Sequence, residues 1–124
     1  MSMHNSDVTC EVRYHLDPER ISEFEAYAQI WMKLIERYGG KHHGYFMPRE
    51  KPADVKVSFA GVGNDGAANV AIALFTFADD EAYALYRDLA ATDPEGVAAN
   101  ARFGANPPFV SYERIFFRSL ARPV

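Results

Sequence analysis

The sequence predicts an α+β fold: a ferredoxin-like βαββαβ plait with an antiparallel sheet and helices on one of its faces. Three observations predict it. Stretches of strand character occur at 8–16, 42–47, 70–77 and 109–117, and helical spacing occupies 17–38 and 79–102 between them. The resulting order is strand, helix, strand, strand, helix, strand, which is two split units joined end to end. The stretch from Val70 to Phe77 is apolar on both alternating faces, with Thr76 its only polar side chain, as a strand at the centre of a sheet requires. In such a plait the first and third strands are expected to lie side by side, and parallel, at the centre.

The elements follow in order. Val8, Cys10, Val12, Tyr14 and Leu16 point one way and Thr9, Glu11, Arg13 and His15 the other, giving a strand with one apolar and one polar face. Asp17-Pro18 is a helix start, an N-cap followed by a proline where no N–H is needed. Ile21, Phe24, Ala28, Trp31, Ile35 and Tyr38 then draw one stripe, and Gly39 sits where a helix ends. The second strand, His42 to Met47, runs into a Pro-, Gly- and Asp-rich connection over 48–68, in which Val55, Val57 and Phe59 alternate as a short edge strand would. Such long connections are often functional, and this one is placed to act as a lid. Asp79 and Asp80 open the next helix, with Ala82, Leu85, Tyr86 and Leu89 as its inward face. The helix restarts at Thr92-Asp93-Pro94-Glu95, either through a Thr92/Glu95 capping box or with Asp93 as cap. It runs to about Arg102, and Phe109 to Phe117 is the last strand.

Bulk properties narrow the function classes. A chain of 124 residues, 48% hydrophobic and 24% charged, is expected to form one domain over 1–124. A net charge of -4 with no basic run argues against nucleic acid or an anionic membrane as partner. One cysteine, Cys10, excludes an internal disulfide. The first residues lack the basic-then-apolar pattern of a secretory signal, so a cytoplasmic location is expected.

The helices of this plait cover one sheet face only, and the central and last strands leave large apolar groups on the other. A bare apolar patch of that kind is unusual on a monomer, and a second copy packed sheet to sheet would cover it by symmetry. A homodimer is the expected assembly.

Spread over most of the chain are Glu11-Val12-Arg13, Trp31, Tyr38-Gly39-Gly40, Gly44-Tyr45-Phe46, Leu74-Phe75-Thr76-Phe77, Tyr86-Arg87, Asp93-Pro94-Glu95 and Tyr112-Glu113-Arg114. Taken in that order the sequence resembles the NIPSNAP family, a branch of the dimeric α/β barrel proteins. The resemblance implies a homodimer whose two sheets form a barrel with the helices outside, and it implies little about chemistry. The chain departs from the family at Ala73 and Phe75, where His and Trp are common, and at His15, where Tyr is common.

Candidate chemistry is sparse. Glu113 on the last strand is a natural partner for Arg13 on the first, an ion pair that would fix strand register or dimer pairing. Histidines suited to proton transfer are His15 and His42. His42 and His43 are adjacent on a strand and point to opposite faces unless the backbone is irregular, which weakens a metal site. No cofactor or metal is expected. Trp31, Tyr27, Phe24, Tyr83 and Tyr86 form an aromatic layer that is core in most proteins. In small cofactor-free monooxygenases of related barrel form, the same place between helices and sheet holds an aromatic substrate. Phe75-x-Phe77 also resembles the base-stacking pattern of RNA-recognition domains, but the acidic charge opposes that use. The expectation is therefore a binder of a small apolar or aromatic molecule, with Trp31, Tyr27, Phe75, Tyr112 and Glu113 as ligand contacts. An enzyme, monooxygenase-like or isomerase-like, would use His15 or His42 as proton carrier, Arg13 as anion stabiliser, and Tyr45 or Tyr112 as hydrogen-bond donor. A non-catalytic interaction module is the third reading.

Overall fold

The structure, a computed structural model, describes residues 6–59 and 61–124, so His4 lies outside it. Strands β1 (Val8–His15), β2 (Lys41–Phe46), β3 (Val70–Phe77) and β4 (Ser111–Phe117) form one sheet in the order β2-β3-β1-β4. Every neighbouring pair is antiparallel, including β1 with β3. The expected parallel centre is thereby corrected. Helix α1 (Ile21–Arg37) returns the chain to the start of the sheet, so β2 runs in the direction of β1, and the 48–69 connection then reverses it into β3. Helices α2 (Asp80–Thr92) and α3 (Pro94–Phe103) follow β3, and β4 closes the order.

Local chemistry sets the helix ends. Asp17 caps a single 3-10 turn, Pro18–Arg20, accepting from the Glu19 N–H at 2.9 Å before α1 begins. At the other end of α1, Gly39 takes φ +96° and the Gly40 N–H donates to the Ile35 carbonyl at 2.9 Å, a Schellman closure. Asp79 caps α2 by accepting from the Ala82 N–H at 2.8 Å. Of the two starts open to α3, the Asp93 cap is the one formed. Its Oδ1 accepts from the N–H groups of Glu95 and Gly96, while the Thr92 hydroxyl turns back to the Leu89 carbonyl. Asp93 is 5% exposed, and its Oδ2 also receives Arg37 Nη1 at 2.7 Å and the Tyr38 hydroxyl. One carboxylate thus staples the end of α1 to the start of α3, and these donors hold it well below the usual carboxylate range.

Two expected elements differ. The segment Val55 to Phe59 forms no strand: its apolar side chains are exposed, with Phe59 at 83%, and left-handed φ values at Asp54 and Phe59 confine it at either end. On α2 the inward residues are Tyr86 and Ala90, with Tyr83 and Ala82 packed beside them, whereas Leu85 and Leu89 are 56% and 39% exposed. The Tyr83 and Tyr86 rings lie 5.5 and 5.1 Å from that of Phe77, and this aromatic contact turns the leucines outward.

The sheet's two faces separate sharply. Cys10, Val12, Tyr14, Ala71, Ala73, Phe75 and Phe77 lie under the helices, none more than 7% exposed. Burial pushes the Cys10 thiol up to about 11. The opposite face carries Val70, Ile72, Leu74 and Ile115, half-buried by one another, with Phe46 and Phe117 at 51% and 45% exposure. No described element covers it. Among the described residues no helix is long and apolar enough to cross a membrane.

Candidate functional site

Alternation along β1 places Tyr14 at the middle of the helix-side face, directly opposite Ala71 on β3 and Tyr112 on β4. Ala71 and Ala73 are small, so rings from the surrounding elements fill the space above them. Tyr14 lies 5.0 Å from Phe24 and from Phe109, 6.0 Å from Tyr112 and 6.1 Å from Tyr45, with its hydroxyl 3.4 Å from that of Tyr27. Phe109, expected within the last strand, precedes β4 and turns its ring into this cluster.

Beside the cluster a cleft of about 410 Å³ opens between the helix layer and the sheet. Trp31, Tyr27 and Phe109 contribute apolar wall, and Tyr83, Arg87, Asn100 and Arg114 contribute polar groups. That combination of size, aromatic wall and few polar groups suits a small organic molecule. The stretch 104–108 on its rim is fastened to the start of α1, because Arg20 donates to the carbonyls of Pro107 at 2.7 Å and Asn106 at 3.0 Å. None of the described residues of 48–68 lines the cleft.

The residues singled out from the sequence divide between the two faces. Tyr27, Trp31, Tyr45, Phe75 and Tyr112 all line the cleft. His42 stands next to it, its ring stacked on Tyr45 at 5.1 Å and 5.6 Å from that of Phe75. Arg13, His15 and Glu113 lie across the sheet, opposite Ile72, Val70 and Arg13 respectively. The expected Arg13–Glu113 pair is not made, although the two stand directly across the β1–β4 ladder. Arg13 turns along its own strand to Glu11, two residues away on the same face, and Glu113 leans diagonally to His15 Nε2 at 3.1 Å. A bulge between His42 and Gly44 interrupts β2, yet the two histidines still part: His43 Nε2 meets the Thr76 hydroxyl at 2.9 Å, on the bare face. Among the described residues no group of three or more His, Cys, Asp or Glu is placed to hold a metal ion.

Protonation follows from burial. The phenols of Tyr14, Tyr27 and Tyr45 are pushed far up by desolvation, and that of Tyr86 to about 12, so all four remain neutral donors. Desolvation drives His42 down to about 4. Its Nδ1 accepts the Gly44 N–H at 2.9 Å, which leaves the proton on Nε2, and that N–H is buried without a hydrogen-bond partner. The indole Nε1–H of Trp31 is buried and unpartnered in the same way. Chemically the site offers stacking surface, neutral donors and the two guanidiniums of Arg87 and Arg114.

Sequence reasoning missed Asn100, Arg87 and Arg114 as site residues. The last two were legible in principle. Arg114 shares its strand face with Tyr112, and Arg87 lies one helical turn beyond Tyr83.

Comparison with known proteins places the molecule. The sequence profile described as NIPSNAP matches residues 10–121. An uncharacterised NIPSNAP-like domain protein from Burkholderia xenovorans superposes with a TM-score of 0.66 at 19% identity, over 98% of this chain and 93% of that one. A NIPSNAP family protein from Agrobacterium tumefaciens gives 0.67 at 16% identity, over 97% and 91%. A candidate antibiotic biosynthesis monooxygenase from Nitrosomonas europaea gives 0.59 at 7% identity, over 97% and 96%. At such identities the likeness is one of fold. No match was found among curated proteins.

Proposed function

The chain belongs to the NIPSNAP family, and from that premise we propose a homodimer in which each protomer binds a small apolar or aromatic molecule between helices and sheet. The observation that carries the reading is the cleft of about 410 Å³ beside the Tyr14 cluster, walled by Tyr27, Trp31, Tyr45, Phe75 and Tyr112. The bare sheet face supports the dimer. Val70, Ile72, Leu74 and Ile115 form its apolar ground, and Glu11, Arg13, His15 and Glu113 supply both signs of charge within it. A two-fold axis through such a patch sets each sign against its opposite.

Thermal unfolding against a panel of aromatic metabolites tests the binding, with native mass spectrometry of the purified chain for a retained ligand. A ligand at a hundred times its Kd adds about 2.7 kcal/mol, a readily measured rise in Tm. No rise with any compound, and no retained mass, would overturn the reading and favour an interaction module.

A second reading, a cofactor-independent monooxygenase-like or isomerase-like enzyme, draws support from the fold shared with the Nitrosomonas europaea protein. In it Tyr45 and Tyr112 donate hydrogen bonds to a substrate oxygen, and His42 backs Tyr45 by stacking on its ring. Arg13 and His15 would serve the dimer seam instead, since they lie on the far side of the sheet from this cleft. Unchanged turnover in Tyr45→Phe and Tyr112→Phe variants would remove these roles.

A further inference from the structure

Arg87 and Arg114 both line the cleft, and neither is paired with a carboxylate among the described residues. Arg13, Arg20 and Arg37 each meet an acid within hydrogen-bond distance, whereas Arg102 of α3 stacks over Phe103 at 4.7 Å and, like the two cleft arginines, makes no ion pair among the described residues. The contrast is sharper for a chain that carries 17 acidic residues against 13 basic ones. Among the described residues none of those acids lines the cleft, and its only formally charged side chains are the two guanidiniums.

Their placement brings them to one side. Arg114 projects from the helix-side face of β4, stacks over Phe116 at 5.0 Å and reaches the Tyr83 hydroxyl at 3.4 Å. Tyr83 and Arg87 are successive turns of α2, four residues apart on neighbouring positions of its surface. The positive field of both guanidiniums also reaches Cys10 on β1, which sits between these elements. The rest of the polar lining adds neutral phenols and the Asn100 amide. A guanidinium is suited to a planar anion, which it grips with paired N–H groups.

We infer that the ligand of this cleft is an anion: a ring-bearing apolar molecule with one carboxylate or similar group, held between Arg87 and Arg114 while its body lies against Trp31, Tyr27 and Phe109. The inference rests on the small-molecule reading above and narrows it to one class of compound.

Two fluorescent probes with the same ring system separate the inference from its premise. 1-Anilinonaphthalene-8-sulfonate carries an anion, and N-phenyl-1-naphthylamine lacks it. Quenching of Trp31, the chain's one tryptophan and part of the cleft wall, reads occupancy, and displacement of one probe by the other shows a shared site. The sulfonate is expected to bind at least about tenfold tighter than the neutral probe, with an advantage that shrinks as salt is raised. In Arg87→Gln/Arg114→Gln the advantage should vanish while the neutral probe binds as before, and Arg87→Lys should keep part of it. Both arginines are exposed, so the variants should fold, which their circular dichroism checks. Equal binding of the two probes, unmoved by the double substitution, would overturn the anion assignment and leave the cleft as a neutral-ligand site. Failure of both probes to bind would remove premise and inference together.

Discussion

A histidine stacked on a tyrosine, with its Nδ1 lone pair given to a backbone amide, is committed to the neutral state. For His42 the folded value lies near 4, below the ordinary 6.5, because burial penalises the charged ring. Between those values the unfolded chain takes up a proton that the folded chain refuses. Stability therefore falls as pH drops through this window and is fully present above it. Urea unfolding at a series of pH values measures the slope, and His42→Asn, which keeps an acceptor for the Gly44 N–H but does not titrate, should flatten it. Asp93 works in the same direction at lower pH. Its carboxylate is held below the usual range by Tyr38, Arg37 and two backbone N–H groups, so its support is present above that range and fades in acid as the group protonates. Residue identities of this kind were only partly legible. Asp93 was one of two candidate caps, and nothing in the chain announced that Arg37 and Tyr38 would converge on it from another helix.

At the scale of elements the aromatic layer decides the packing. Gly40 ends α1 so close to the sheet that a Cβ there would lie 2.6 Å from Ile35 Cγ2 and 2.7 Å from Phe77 Cζ. Gly40→Ala should cost about 1–3 kcal/mol in chemical denaturation through this overpacking. Phe24→Ala, removing a ring with no exposed surface, should cost about 3–5 kcal/mol. Leu85→Ser should stay within about 0.5 kcal/mol, because that side chain is more than half exposed. The last prediction separates the observed inward face of α2 from the one its leucines suggested. Period and capping signals located the strands and helices well, since they are local. The inward face of α2 depended on which rings met Phe77, and the Val55 to Phe59 stretch depended on finding a strand partner. Both are long-range facts that spacing does not carry. The same holds for the ion pairs of the bare face, where register was foreseeable and side-chain choice was not.

For the whole molecule the proposed dimer turns on the face that the helices leave uncovered. Ile72→Glu, which puts a charge at its centre opposite Arg13, should convert a dimer to a monomer in sedimentation equilibrium at micromolar concentration, with a native-like circular dichroism spectrum. A wild-type chain that sediments as a monomer would end the proposal. Cys10 offers a ruler for all of these states. The only thiol of the chain sits beneath the helices with no exposed surface, and its raised pKa keeps it protonated at neutral pH. A disulfide reagent can modify it only in moments when the helix layer lifts away from the sheet. Its labelling rate becomes a clock for that opening, started without any engineered label. A compound that occupies the cleft should slow the clock, and the unliganded native chain sets its tempo.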